Sequence, residues 1–132
     1  GLSSKEALER TFAGFDEDLW QESLAKFLLD NPETDAIFAR NDRLAATASK
    51  IVTNIGRRIP EDIMILGVDN SSISRLMTPS ITTIEQQKEE MSKTAIELIE
   101  IMNQGTKNLV PEELSKVFET RMIERESTKR KG

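Results

Sequence analysis

The sequence contains no cysteine, no histidine and no tyrosine. Without histidine or cysteine there is no Ser-His-Asp or Cys-His nucleophile system, no thiol redox chemistry, and no basis for nearly all zinc sites. The absence of cysteine also removes the usual mark of redox compartment. Carboxylates and lysines remain, but no acid pair stands at a spacing that points to catalysis. No catalytic residue, cofactor or metal ligand is therefore assigned, and an enzyme is the least supported class. Gly67 is a lone glycine and spells no phosphate-binding fingerprint. No apolar run approaches the roughly 18 residues of a membrane span, so no membrane partner is expected. No basic-then-apolar leader opens the chain. It starts at Gly1-Leu2 without methionine, which reads as a piece cut from something longer.

What is present describes one folded domain. The chain has 132 residues, enough to bury a core, with 37% hydrophobic and 31% charged residues. The net charge is −5 and the pI about 4.9. An acidic chain does not by itself grip a phosphate backbone, so nucleic acid is not expected as a direct partner of these residues.

Residues 17–29 place Trp20, Leu24, Phe27 and Leu28 at i, i+4, i+7 and i+8, one face of a helix, with Asp16 at the N-cap. "DAIFA" is a short apolar strand. It feeds a second helical pattern in which Leu44, Ala48, Ile51, Val52 and Ile55 repeat and Gly56 suits the C′ position. "IMILGV" is a near-continuous apolar run, the mark of a strand buried on both faces of a parallel sheet. "SSISRLMTPS" is a short turn or helix, and "ITTI" a brief β-branched strand. A long helix then carries Met91, Ala95, Leu98 and Met102 on one side, closed by Gly105. The last strand, "KVFETRMIER", alternates through Val117, Glu119, Arg121 and Ile123, and the tail "STKRKG" is expected to be disordered. The alternation of strands and helices predicts an α/β fold: a parallel sheet with helices on both faces, three layers in all, joined by right-handed crossovers.

In such a sheet ligands bind beyond the carboxyl ends of the strands. "DAIFAR" runs into Asn41-Asp42, "IMILGV" into Asp69-Asn70, and "RTFAGF" puts Phe15 at the same edge. An aromatic ring, an amide and a carboxylate suit a sugar. The ring packs on the apolar face of a pyranose while Asn and Asp bind hydroxyls with defined direction. Asp69 is equally open to a second reading, as the cap of the short "SSISRL" helix, and Asn41 or Asp42 as a cap of the helix that follows.

"DAIFARND", "GRRIPEDIMILGVDNS" and "PSITTIEQQKEEMSKTAIELI", in that order, resemble the lactose-repressor/galactose-repressor family of bacterial transcriptional regulators. The resemblance covers essentially residues 12–126. The run from "IPEDI" through "GVD" to "TTI" is more typical of these repressors than of the periplasmic sugar-binding receptors that share their fold. The resemblance implies the C-terminal lobe of a periplasmic-binding-protein-like (type I) sensor core. Residues 1–132 would form that lobe, with 85–116 as an excursion toward a missing N-terminal lobe. Gln86 and Ser115 would mark the crossovers. The helix over 88–104 would then lack much of its partner within these residues.

The same resemblance implies site residues and partners. Phe15 falls where family members set an aromatic ring against the effector, and Asn41 and Asp69 where they bind its hydroxyls. Ala45, Ala46, Ser49, Ile73, Leu76 and Met77 fall where members form homodimers, although Leu76 and Met77 would also serve to seal the sheet edge. Operator DNA would be reached only through an N-terminal helix-turn-helix that these residues do not contain, and the localisation implied is cytoplasmic. The effector is expected to be a sugar, a sugar phosphate or a similar molecule; a periplasmic transport receptor is the alternative. The sequence departs from the family pattern at Asn70, where a second acid is usual, at Gln87, where proline is usual, in "LAATAS", and at Arg40. Arg40 adds a cation to the cleft, either pairing with Asp69 or reading a phosphate or carboxylate on the effector.

Overall fold

The computed structural model describes residues 17–103 and 115–129. The first helix, α1, spans Glu17–Asp30 and leads to strand β1, Ala36–Phe38. Helix α2 spans Asp42–Asn54, strand β2 Met64–Val68 and helix α3 Ser72–Leu76. Strand β3 spans Thr82–Glu85, helix α4 Lys88–Asn103 and strand β4 Arg121–Ile123, before a 3-10 turn at Glu126–Thr128. The strands form one sheet in the order β1-β2-β3-β4. β1, β2 and β3 run parallel, while β4 is antiparallel to β3 through Thr83↔Ile123 and Glu85↔Arg121. The expected all-parallel sheet is thus a mixed one. "KVFETRMIER" pairs over only Arg121–Ile123, and Val117 is 95% exposed despite its alternating pattern.

Helix α2 lies on the face of β2 that carries Ile65 and Gly67. Ala45, Ala46, Ala48, Ile51 and Val52 are buried there with Ile63, Ile65 and Ile81. Leu24 and Leu28 of α1 complete this core, with Trp20 and Phe27 packed against it, as their spacing required. Gly67 permits the close approach: a Cβ there would collide with Asp42 Oδ1 and press on Ala45. Gly56, at φ 82°, ends α2 in the left-handed conformation expected at C′. Alternation turns Met64, Leu66 and Val68 to the opposite face, where they are half-buried and Phe38 is 65% exposed. The described residues of α4 include none that is buried, and Ile96, Ile99 and Met102 are more than half exposed.

The expected disorder of the tail fails at Ser127–Lys129. Ser127 is fully buried. Its Oγ accepts from Thr82 N at 2.8 Å and donates to Ile65 O at 2.6 Å, while its own N–H donates to Ser80 O at 2.9 Å. The hydroxyl thus stands in for a ladder bond where β2 and β3 have not yet paired, since their register begins at Leu66↔Thr82. Hydrophobic periodicity carries no signal for a single polar side chain used this way.

Ser127→Ala strands a buried N–H and a buried carbonyl. It is expected to lower unfolding free energy by roughly 1–3 kcal/mol in a urea titration, a large effect for a residue so near the end of the sequence. An unchanged midpoint would show that the plug is not structural.

Candidate functional site

The carboxyl ends of β1, β2 and β3 converge on one edge of the sheet, and three polar segments leave from it. The first is Arg40-Asn41. Asn41 is extended (φ −153°, ψ 167°) and is the N-cap of α2, its Oδ1 accepting from Leu44 N at 2.9 Å. Its amide nitrogen has no partner among the described residues. Arg40 is exposed.

The next residue, Asp42, is 1% exposed and does not cap. One carboxylate oxygen accepts from Thr83 Oγ1 at 2.5 Å, and the other from Ser71 N at 2.7 Å and Ser71 Oγ at 2.9 Å. A single acid thereby joins the start of α2, the turn after β2 and the middle of β3.

That turn is the second polar segment. Asp69 and Asn70 both have positive φ, 110° and 47°. Such conformations cost about 1–3 kcal/mol each and persist only where the surroundings fix them. Here Asp69 N donates to Ile84 O at 2.8 Å, Asn70 N to Thr83 Oγ1 at 3.2 Å, and Ser71 is held by Asp42. Asp69 does not cap α3, whose N-cap is Ser71. Its Oδ1 instead meets Lys88 Nζ at 3.0 Å, and Oδ2 has no partner among the described residues. Arg40 is therefore not the cation that pairs with Asp69.

The third segment leaves β3 at Glu85-Gln86. The Asn70 amide donates to Glu85 Oε1 at 2.7 Å and accepts from Arg125 Nη2 at 2.6 Å. Arg121 donates to Glu85 Oε2 at 2.8 Å, and Arg125 continues to Ser74 Oγ and Ile81 O. The amide suits this place, since it donates to a carboxylate on one side and accepts from a guanidinium on the other. The Asn70 amide, and after it the Arg121 guanidinium, hold the Glu85 carboxyl below its ordinary range. Between Asp69 and residues 85–90 runs an open groove of about 460 Å³, and a second of similar size lies between 85–87 and 119–121.

Asn41 and Asp69 thus stand on the same edge, at the ends of neighbouring strands. Phe15 lies outside the described residues. Gln86 is half-buried where β3 gives way to α4, and Ser115 is exposed on the return. Ala45, Ala46 and Ser49 are buried in the chain's own core and offer no surface to a partner. Ile73 and Met77 pack partly against that core, whereas Leu76 is 81% exposed. Sequence reasoning missed Asp42 as a hub, Glu85 and Lys88. None of these carries a periodic signal, because each is defined by a contact across 15 to 41 positions of sequence.

A model of the periplasmic binding protein-like domain matches residues 3–128. The chain is 39% identical over 77 residues to the HTH-type transcriptional repressor PurR of Aliivibrio salmonicida, covering 58% of this chain and 23% of that protein. It is 34% identical over 108 residues to the HTH-type transcriptional regulator MalR of Clostridium butyricum, covering 80% of this chain and 30% of the other. Its fold is similar to that of a LacI family transcriptional regulator from Arthrobacter sp. FB24 in complex with lactose, at 33% identity and a TM-score of 0.71. That similarity covers 83% of this chain and 40% of the other. The chain therefore spans only 23% and 30% of the length of these two curated relatives. Among the described residues no helix is long and apolar enough to cross a membrane.

Because Glu85 is held below its ordinary range, its contribution to stability is present above the unfolded carboxylate pKa and is lost as pH falls from there through the lower folded pKa. Glu85→Gln is expected to flatten the fall of the thermal midpoint between about pH 6 and about pH 3 relative to wild type. Parallel profiles would mean that Glu85 is not engaged.

Proposed function

The chain belongs to the periplasmic binding protein-like domain family, its relatives being LacI-family transcriptional regulators, and from that premise we propose that it is the C-terminal effector-binding lobe of such a regulator. The effector is a sugar or sugar derivative. The observation that carries the reading is the cleft edge itself: Asn41 and Asp69 end adjacent parallel strands, and Asp69 is held in a strained backbone with one carboxylate oxygen free. Asp69 accepts a ligand hydroxyl, a charge-assisted hydrogen bond worth roughly 1.5–3 kcal/mol. Asn41 donates from its free amide nitrogen while its oxygen keeps α2 capped. Phe15 supplies the apolar platform, and Arg40 stands at the rim.

Residues 85–116 form the excursion toward an N-terminal lobe, crossing near Gln86 and returning near Ser115. The exposed apolar side chains of α4 suit such a contact. The lobe pairs with a second copy around Leu76, with Ile73 and Met77 beneath it. Operator DNA is bound by a helix-turn-helix elsewhere in the protein, in the cytoplasm. The HTH-type relatives favour this reading over a transport receptor, and, being regulators, they support a role without catalysis.

In calorimetry of the intact protein against neutral mono- and disaccharides, Asp69→Ala is expected to lower affinity roughly 10- to 100-fold with the unfolding midpoint retained. Unchanged affinity for the sugar that binds wild type would remove Asp69 from the site.

A further inference from the structure

The groove at Asp69 contains a cation that the lobe's own stability does not call for. Lys88 is the first residue of α4, where a positive side chain faces the positive end of the helix dipole. Its ion pair with Asp69 is open to solvent, with Lys88 57% and Asp69 31% exposed, and exposed pairs contribute little to folding. No residue of α4 among those described is buried, so the pair does not anchor a packed helix. What it does is fix two complementary groups 3.0 Å apart on the wall of a groove of about 460 Å³. One oxygen of Asp69 remains open to accept, and the ammonium, which meets the other oxygen as an ion pair, keeps donors for a ligand.

Resting on the effector reading above, we propose that Lys88 is a specificity-determining residue of the site and that Lys88 and Asp69 together recognise an uncharged vicinal diol. One hydroxyl donates to Asp69 Oδ2, and the oxygen of its neighbour accepts from Lys88 Nζ. A hydroxyl is both donor and acceptor, so a diol satisfies both members of the pair without breaking it. A phosphate has no proton to give Asp69 at neutral pH. It would also enter a groove whose wall carries Asp69, Glu85, Glu89 and Glu90, of which Glu85 is taken by Asn70 and Arg121 and Glu89 by Lys93. A cationic ligand would meet Lys88. The chemical class is therefore a neutral sugar or polyol that presents adjacent hydroxyls to this lobe; a sugar phosphate carries such diols too, but its phosphate adds a negative charge beside these four carboxylates.

The test is calorimetry of the intact protein with lactose, cellobiose and maltose, and with glucose 6-phosphate, for wild type, Lys88→Met, Lys88→Arg and Asp69→Ala. Lys88→Met is expected to weaken the neutral sugar about 10-fold or more with an unchanged unfolding midpoint, and Lys88→Arg to restore most of the loss. Glucose 6-phosphate is expected to bind more weakly than the neutral sugar. Wild-type affinity in Lys88→Met, with binding lost in Asp69→Ala, overturns the role of Lys88 and leaves the effector site standing. Wild-type affinity in both variants overturns the site itself. Tighter binding of glucose 6-phosphate than of any neutral sugar overturns the ligand class.

Discussion

The cleft edge depends on the buried carboxylate of Asp42. Placed at the first turn of α2, it is welcome at the positive end of the helix dipole. It also accepts from Ser71 and Thr83, which belong to the turn after β2 and to β3. Gly67 leaves the space for it, since any larger residue would occupy the place of Asp42 Oδ1. Removing the carboxylate would therefore do more than cost hydrogen bonds. It would release the turn whose two positive φ values aim Asp69 at the groove. Core packing, the start of α2 and the ligand geometry meet in one side chain.

From that anchor a continuous polar chain runs outward. Asn70 joins Glu85 at the end of β3 to Arg125 beyond β4, and Arg121 at the start of β4 closes on the same Glu85. Strands β3 and β4 are clamped together beside Asp69. Discrete, hydrogen-bonded links of this kind are how a local binding event biases a larger rearrangement, given an element with two arrangements to bias. The exposed α4, which follows β3 directly and buries none of its described residues, is placed to be that element.

The helices α1 and α2 were legible from spacing, because burial on one face imposes a 3.6-residue period. β1 and β2 were legible as apolar runs, and Asp69 stood out as a carboxylate ending one of them. Other features were not. The resemblance puts Ala45, Ala46 and Ser49 at a surface for a partner, yet all three are buried and Ala45 packs over Gly67. β4 alternates over ten residues but pairs over Arg121–Ile123, because pairing depends on the length of its neighbour β3, which periodicity does not report. Ser127 and Lys88 act through contacts distant in sequence, and a tail rich in polar residues conceals the first of them.

The most direct measurement is the affinity of the intact protein for DNA from its own promoter region, by fluorescence anisotropy, with and without a saturating concentration of the sugar it binds. A sensor lobe requires the two equilibria to be linked, with a shift in operator affinity of roughly 5- to 150-fold. A protein that binds the sugar and the DNA but shows the same DNA affinity in both conditions would contradict the assignment of this lobe as the effector-sensing part of a transcriptional regulator.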